Sequence, residues 1–122
     1  MEECLLLFDH KVRSIVFKSF FSPTRITVIC ITWVGLSLAF RQPTEQSSTS
    51  SALVASLAVD GAFDKLTYAE NSCTHTADSP GSTNPWWRVD LGRAYYVSEV
   101  RVTNREDCCG DRLSNFTIRI GK

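Results

Sequence analysis

The second half of the chain alternates apolar and polar residues with a period of two. Three such segments, rich in β-branched and aromatic residues, lie at residues 86–91, 97–103 and 116–120. This pattern predicts half-buried strands, each with one face toward a core. Trp87 is predicted to lie in the core, Trp86 to be partly covered, and Gly92 to end the first strand. Because no helical periodicity of useful length follows residue 60, we expect an all-β sandwich or barrel.

Turn-forming and polar residues separate the predicted strands. Residues 52–59 carry small apolar side chains and lead into Asp60-Gly61, which favours a turn because glycine adopts positive φ easily. Residues 42–56, taken alone, are typical of a linker, and residues 71–85 are typical of a long surface loop. Only four or five strands can be assigned after residue 40, whereas a jelly roll needs about eight. The sequence therefore predicts an incomplete sandwich.

The first forty residues differ in character from the rest of the chain. Residues 26–40 form a 15-residue stretch without charge. A membrane span needs about 20 apolar residues, and a shorter run fits a signal-peptide core, here with the small residues Ser37 and Ala39 before a cleavage point after Ala39. The alternatives are a short signal-anchor or a stretch foreign to the working protein. All three place the hydrophobic N-terminal segment, residues 1–40, outside a folded domain that spans residues 41–122.

Charge and composition exclude some classes of function. The chain has 13 basic and 13 acidic residues and a formal net charge of zero. That balance supplies no field to attract nucleic acid, and we expect membrane contact only through residues 1–40 if they are not cleaved. A signal or anchor segment would deliver the domain to an oxidising environment, where disulfides persist. We therefore expect a secreted protein or one on the extracellular face of the membrane.

Two adjacent cysteines, Cys108 and Cys109, form a distinctive local feature. Neighbouring Cα atoms lie about 3.8 Å apart and disulfides usually span about 4.4–6.8 Å, so a bond between the two would close a strained, rigid ring. Gly110 follows and tolerates the unusual dihedral angles of such a turn. The alternative is that the two thiols serve separate disulfides or a metal, although metal sites usually space their cysteines further apart. In an oxidising compartment we favour the ring.

Arg105 and Arg112 flank the cysteine pair, seven residues apart. A strand–turn–strand arrangement would bring both guanidinium groups to one rim, where their fixed N–H donors suit hydroxyl and ring-oxygen acceptors. Asp107 and Asp111 are placed to hold the two guanidinium groups. The alternative is two surface ion pairs, each of about 0–1 kcal/mol.

Several motifs in a fixed order resemble one family. The three main motifs are Cys73-Thr74-His75, Asn84-Pro85-Trp86-Trp87-Arg88-Val89-Asp90-Leu91 and Asn104-Arg105-x-Asp107-Cys108-Cys109-Gly110-x-Arg112. Two shorter ones are Gln46-Ser47-Ser48-Thr49 and Ala58-Val59-Asp60-Gly61. Together they resemble the F-type lectins, also called the fucolectin/tachylectin-4/pentraxin-1 domain. The resemblance covers roughly residues 41–122 and suggests a C-terminally truncated domain.

The resemblance implies a discoidin-like β-sandwich jelly roll that binds L-fucose. His75, Arg105 and Arg112 are expected to donate hydrogen bonds to the sugar hydroxyls and the ring oxygen. A Cys108–Cys109 disulfide is expected to pack on the apolar face of the sugar. Tyr68 stands where the family often has an aromatic residue near the methyl group of the sugar.

The resemblance also implies a structural calcium ion. The family holds this ion largely through backbone carbonyls around the Val-Asp-Gly turn and just before the Cys-Thr-His motif. The corresponding positions here are Leu57, Asp60, Ala62 and Ser72. Leu57 and Ala62 replace polar residues that are usual there, but backbone oxygens still serve as ligands of a hard cation. A further acidic ligand normally comes from the far C-terminal part of that domain.

The expected function is non-enzymatic recognition of fucosylated glycans, in innate recognition and with calcium as a structural ion. Single sites of this kind bind weakly, so a homo-oligomer would raise the avidity. One alternative is a carbohydrate-binding module of a larger extracellular enzyme, although no carboxylate pair can be assigned as glycosidase acid and nucleophile. Another is a discoidin-like adhesion module. The glycosylation sequon Asn115-Phe116-Thr117 suits a secreted chain.

Overall fold

The computed structural model describes residues 11–19, 37–61, 73–77, 84–97, 99–105, 107–108 and 116–121. Its four strands are β1 (Lys11–Ser19), β2 (Thr44–Gln46), β3 (Trp86–Tyr96) and β4 (Phe116–Gly121). They form one sheet in the order β2-β3-β1-β4, and each neighbouring pair is antiparallel. A short 3₁₀-helix, Ala55–Val59, packs beside the sheet. The predicted all-β class is confirmed.

Strand β3 shows the alternation that the sequence predicts. Trp87, Val89 and Leu91 are at most 2% exposed, Arg88 faces solvent, and Trp86 is half-buried. The Trp87 indole Nε1 donates a hydrogen bond to the carbonyl of the 3₁₀-helix residue Ala55 over 2.9 Å, which ties the helix to the sheet. The buried residues of the core are Val12, Ile15, Phe17, Ala39, Ala55, Ala58, Val59, Trp87, Val89, Leu91, Val97, Val100 and Val102.

Strand β1 is where the structure differs most from the sequence prediction. It lies between β3 and β4 and pairs with both strands. Its side chains Val12, Ile15 and Phe17 are at most 1% exposed, and the Phe17 ring lies 5.8 Å from the Trp87 ring. The prediction placed all of residues 1–40 outside the folded domain, whereas residues 11–19 pair within the sheet and contribute to its core.

An irregularity in pairing explains why β1 was not recognised from its pattern. Inward-facing residues of a regular strand are two apart, but the buried residues Val12 and Ile15 are three apart. The register with β3 shifts between Val12 and Ser14, and this shift returns Ile15 to the core side. The alternation is therefore broken within the strand.

Gly92 lies on the β3 side of this irregularity. The sequence predicted that Gly92 ends the strand, but β3 continues to Tyr96. Its φ is 82°, which a residue with a side chain rarely adopts. Its N–H donates to the Asp90 carboxylate over 2.8 Å, and pairing with β1 resumes at Tyr95 and Tyr96. Gly92 thus permits an irregular step inside a longer strand.

Three other segments refine the sequence prediction. Residues 44–46, predicted as part of a linker, form the short strand β2. Residues 73–76, predicted as part of a surface loop, are at most 2% exposed. Val100 and Val102 are buried as predicted, but in the described part of residues 97–103 only Val100 forms a bridge, so a regular strand there is not observed. Extended backbone alone is enough to alternate burial.

The predicted signal or anchor segment lies mostly outside the described residues. Residues 26–36 belong to that part, while Ala39 is fully buried and its carbonyl accepts a turn hydrogen bond from the Gln42 N–H over 3.0 Å. Within the described ranges, the structure has no helix of the length and apolar character needed to cross a membrane. The roles assigned to residues 26–40 stay predictions.

Candidate functional site

The described residues of the predicted site lie in residues 57–60, 73–77, 104–105 and 107–108, and residues 46–53 contact the segment that carries His75. His75, Arg105 and Cys108 can be placed in the structure. Leu57 and Asp60, predicted for the metal, are also described, while the other predicted site residues lie outside the described residues; all of these roles stay predictions. The residues outside are Tyr68, Cys109 and Arg112 for the sugar, and Ala62 and Ser72 for the metal.

The segment around His75 is held by the loop that follows β2. The His75 N–H donates to the Leu53 carbonyl over 3.1 Å, and the Ser50 N–H donates to the His75 carbonyl over 2.9 Å. The Ala77 N–H donates to the Ser48 hydroxyl over 3.0 Å. These bonds satisfy backbone groups that would otherwise be costly to bury, which explains how a polar segment lies in the interior.

The His75 imidazole is itself buried, with 2% of the residue exposed. Its Nδ1 lies 2.6 Å from the Thr76 carbonyl oxygen. Since a carbonyl only accepts, Nδ1 carries the proton, and Nε2 of the neutral ring is an acceptor. The sequence prediction that His75 donates to a sugar therefore applies to Nε2 only when the ring is protonated.

Burial lowers the pKa of His75 below its ordinary value. The Thr76 carbonyl opposes that shift by accepting from the ring, while the positive charge of Arg105 adds to it. Both desolvation and a nearby cation disfavour the imidazolium form. His75 is therefore neutral at neutral pH, and the charge of Arg105, another predicted sugar ligand, acts on its ring.

Arg105 is held in one orientation by Asp107. Arg105 Nε donates to Asp107 Oδ1 over 2.6 Å, and Nη2 donates to Oδ2 over 2.7 Å. The Arg105 side chain is 8% exposed and that of Asp107 29% exposed, so this pair is far better shielded than an ordinary surface ion pair. The predicted role of Asp107 in holding the guanidinium is confirmed. Asp111 lies outside the described residues.

Cys108 follows this ion pair and is exposed. It is disulfide-bonded in the structure. Because Cys109 lies outside the described residues, the pairing of the two adjacent cysteines stays a prediction. Cys73, at the start of the first motif, is buried.

Two of the four predicted calcium ligands, Leu57 and Asp60, are described. Leu57 lies in the 3₁₀-helix and Asp60 caps its C-terminal end, one turn further along. Carbonyl oxygens in the last turn of a helix lack partners within the helix and favour a cation. Among the described residues no cluster of three or more His, Cys, Asp or Glu side chains could hold a metal. Any ion held here would depend largely on backbone oxygens.

A cleft of about 410 Å³ lies apart from these residues. It is crossed by two cross-strand ion pairs, Arg13–Asp90 at 3.6 Å and Arg88–Glu45 at 2.6 Å. All four side chains are about half exposed, and such pairs contribute little to stability. None of the predicted site residues lines this cleft.

Gln46 begins one of the two shorter sequence motifs, but the sequence assigns it no role in the site. Its carboxamide contacts both the loop after β2 and the segment that carries His75. The available signal was its place one residue from Glu45, on the opposite face of a short alternating stretch. Long-range hydrogen bonds leave no mark in the local pattern, so the role of Gln46 emerged only from the structure.

We expect the stability of the protein to fall as the pH drops below 6.5, the pKa of a histidine in the unfolded chain. The unfolded chain then binds a proton that the folded chain resists, so stability is full above this pH and is lost toward the lowered folded-state pKa. Thermal unfolding at about pH 7.5 and about pH 5.5 measures this loss. The His75→Gln variant, which lacks the ring, should show a smaller difference. An equal difference in both proteins would contradict the role of His75.

Residues 57–122 match the family described as NedA-like, galactose-binding domain. The chain belongs to this family. The resemblance to F-type lectins and the discoidin-like all-β fold are thereby confirmed. No solved structure has a significant match to the fold of this galactose-binding-like chain.

Curated relatives of this family member carry the name fucolectin. Fucolectin-6 of Anguilla japonica is 52% identical over 68 residues, which cover 56% of this chain and 34% of the relative. Fucolectin of Anguilla anguilla is 52% identical over 68 residues, with 56% and 40% covered. Fucolectin-1 of Anguilla japonica is 43% identical over 94 residues, with 73% and 51% covered. The chain thus spans about a third to a half of the length of these relatives.

Proposed function

We propose that this chain is a lectin, a binding protein rather than an enzyme, that recognises terminal L-fucose on glycans. The observation that carries this proposal is the Arg105 guanidinium, which Asp107 holds in a bidentate pair, together with the buried, neutral His75 whose pKa that guanidinium lowers. Rigid, preoriented donors and acceptors are what sugar hydroxyls require, since a loose side chain loses conformational entropy on binding.

The donors and acceptors of this pair suit a vicinal diol. Two of the five guanidinium N–H groups of Arg105 donate to Asp107, which fixes the plane of the guanidinium and the direction of its N–H groups. Nε2 of His75 accepts in the neutral ring, and the atom is buried. In this proposal one sugar hydroxyl inserts toward Nε2 while a neighbouring oxygen accepts from Arg105. Arg112 adds a second guanidinium at the same rim.

The apolar part of the proposed site comes from the cysteine turn. Cys108 is exposed and disulfide-bonded. In the proposed arrangement Cys108 and Cys109 are bonded to each other, and their sulfur atoms contact the apolar face of the sugar. Tyr68 lies near its methyl group.

The family and the names of the relatives support this ligand. The family description refers to galactose binding, and the relatives are named fucolectins. L-Fucose is 6-deoxy-L-galactose, so the two sugars share the arrangement of ring hydroxyls and differ by an apolar methyl group. We propose that the protein acts outside the cell, in innate recognition, as a homo-oligomer that gains avidity from repeated weak sites.

Retention on immobilised L-fucose tests the proposed function. Free L-fucose should elute the protein, whereas L-galactose, which adds one hydroxyl at the methyl position, should elute it less effectively. D-Galactose, the mirror-image hydroxyl pattern, should not elute it at all. Absence of retention at neutral pH in the presence of calcium would overturn the lectin proposal, and equal elution by the two L-sugars would overturn the apolar contact.

Calcium is proposed as a structural ion held by Leu57, Asp60, Ala62 and Ser72. It would neutralise the carboxylate of Asp60 and be coordinated by the backbone carbonyl oxygens around it. We expect chelation with EDTA to lower the melting temperature, and added Ca²⁺ rather than Mg²⁺ to restore it. The Asp60→Asn variant should reduce the response to Ca²⁺. A melting temperature that is unchanged by EDTA would remove calcium from the proposal and leave sugar binding standing.

A further inference from the structure

Gln46, the last residue of β2, sits at the junction between the sheet and the candidate site. Within β2, Glu45 is exposed and pairs with Arg88 on the outer face, while Gln46 is half-buried and points the opposite way. That orientation brings its carboxamide to the two segments that hold His75. The loop after β2 and the segment around His75 are distant in sequence, and the Gln46 side chain contacts both.

The carboxamide nitrogen of Gln46 reaches three acceptors. Nε2 lies 2.8 Å from the Thr49 hydroxyl, 3.1 Å from the Leu53 carbonyl and 3.4 Å from the His75 carbonyl. The two carbonyls only accept, so the atom facing them must be the donating NH₂ group. The Leu53 carbonyl also accepts from the His75 N–H. The side chain therefore reinforces the backbone contact that fixes His75.

The carboxamide oxygen of Gln46 also binds the segment that carries His75. It accepts a hydrogen bond from the hydroxyl of Thr74, the residue directly before His75. Thr74 is fully buried, so this bond lies away from solvent, where polar groups are costly to leave unsatisfied. Donor and acceptor ends of one amide are thus both used on the same short segment.

We propose that Gln46 is a positioning residue for sugar binding: it holds the His75 backbone, and with it the imidazole ring, in the orientation that the site requires. This inference rests on the proposed lectin function and adds a residue that acts through His75 without touching the sugar. A one-ångström displacement of His75 would misalign its Nε2 with a sugar hydroxyl while leaving the sheet intact. Gln46 lies in β2 and is fixed by pairing with Trp87, which makes it a rigid support.

The Gln46→Glu variant tests the proposal, since it keeps the shape and replaces the donating NH₂ with an oxygen that faces two carbonyls. We expect affinity for L-fucose to fall about tenfold, the scale of a lost buried hydrogen bond. We also expect the His75 ring, followed by NMR, to titrate closer to its ordinary pKa. The charge of Arg105 acts on that ring, and Thr49 and Thr74 are uncharged. Because the carboxylate introduced at position 46 would itself raise the pKa of His75, the uncharged variant Thr74→Val decides the NMR readout. Glu45→Gln, the converse change one residue away, should alter neither readout.

Two safeguards keep the test decisive. If Gln46→Glu does not fold, Thr74→Val removes the hydroxyl that orients Gln46 and should shift both readouts in the same direction, by a smaller amount. If the wild-type protein does not bind fucose, the lectin proposal fails, and the NMR titration alone decides whether Gln46 positions His75. A folded Gln46→Glu or Thr74→Val protein with an unchanged His75 titration and unchanged fucose affinity would overturn the inference.

Discussion

Replacing Arg105 with alanine is expected to abolish retention on immobilised L-fucose. The change removes the guanidinium that Asp107 holds in a bidentate pair, and with it the charged donors of the proposed site. A hydrogen bond to a charged group contributes about 1.5–3 kcal/mol, so the affinity should fall about 10- to 100-fold. Isothermal titration with free L-fucose measures the loss.

Two further variants separate sugar binding from folding. Arg105→Lys keeps the charge but loses the planar fork, and it should recover little of the affinity. Arg101→Ala removes a guanidinium that pairs with Glu99 at 2.8 Å in the same segment, outside the proposed site, and should bind as the wild type does. Wild-type affinity in a folded Arg105→Ala protein would exclude Arg105 from the site.

Replacing Phe17 with alanine is expected to remove much of the folding stability. Phe17 is 1% exposed and its ring packs between those of Trp87 and Phe116, with ring centres 5.8 and 6.3 Å away. Truncation of a buried phenylalanine costs about 3–5 kcal/mol, against a total stability of about 5–15 kcal/mol for a typical domain. Urea unfolding followed by tryptophan fluorescence reports the change, since the Trp87 ring packs against the ring of Phe17.

The neighbouring Arg13 supplies the control for this experiment. It lies in the same strand, but its side chain is 54% exposed and pairs with Asp90 at 3.6 Å, so Arg13→Ala should cost about 0–1 kcal/mol. Ile15→Val, at about 0.5–1.5 kcal/mol, keeps the measurement on scale if Phe17→Ala does not fold. If all three variants unfolded at the same urea concentration as the wild type, β1 would not be part of the core.

The strands after residue 80 could be predicted because each shows its burial in a local pattern. Trp87, Val89 and Leu91 alternate with polar residues, and their inward face follows from the geometry of a strand alone. The Asp107–Arg105 pair could also be predicted, since the two residues are close in sequence and complementary in charge. The order of the strands in the sheet has no such local signal.

Other features depend on contacts between distant residues. In β1, the spacing of Val12 and Ile15 hides the strand from a period-two search, and the basic residues around them are typical of a signal peptide as well. The hydrogen bond that Gln46 donates to the His75 carbonyl joins two residues that are 29 positions apart. The acceptor role of the His75 Nε2 depends on which ring nitrogen meets the Thr76 carbonyl, and composition does not determine that.

The position of β1 between β3 and β4 also has a consequence for how the chain reaches its folded state. Ser14 pairs with Gly121, and the Thr117 hydroxyl donates to the Lys18 carbonyl across 99 positions of sequence. Among the four described strands no pair is joined by a short hairpin, so loops of tens of residues must close before their pairing energy is gained. Such topologies fold in about milliseconds to seconds rather than microseconds. At a synthesis rate of about 5–20 residues per second, β1 leaves the ribosome seconds before its partner strands. During that time its apolar face, with Val12, Ile15 and Phe17, is uncovered, and chaperones would have to shield it.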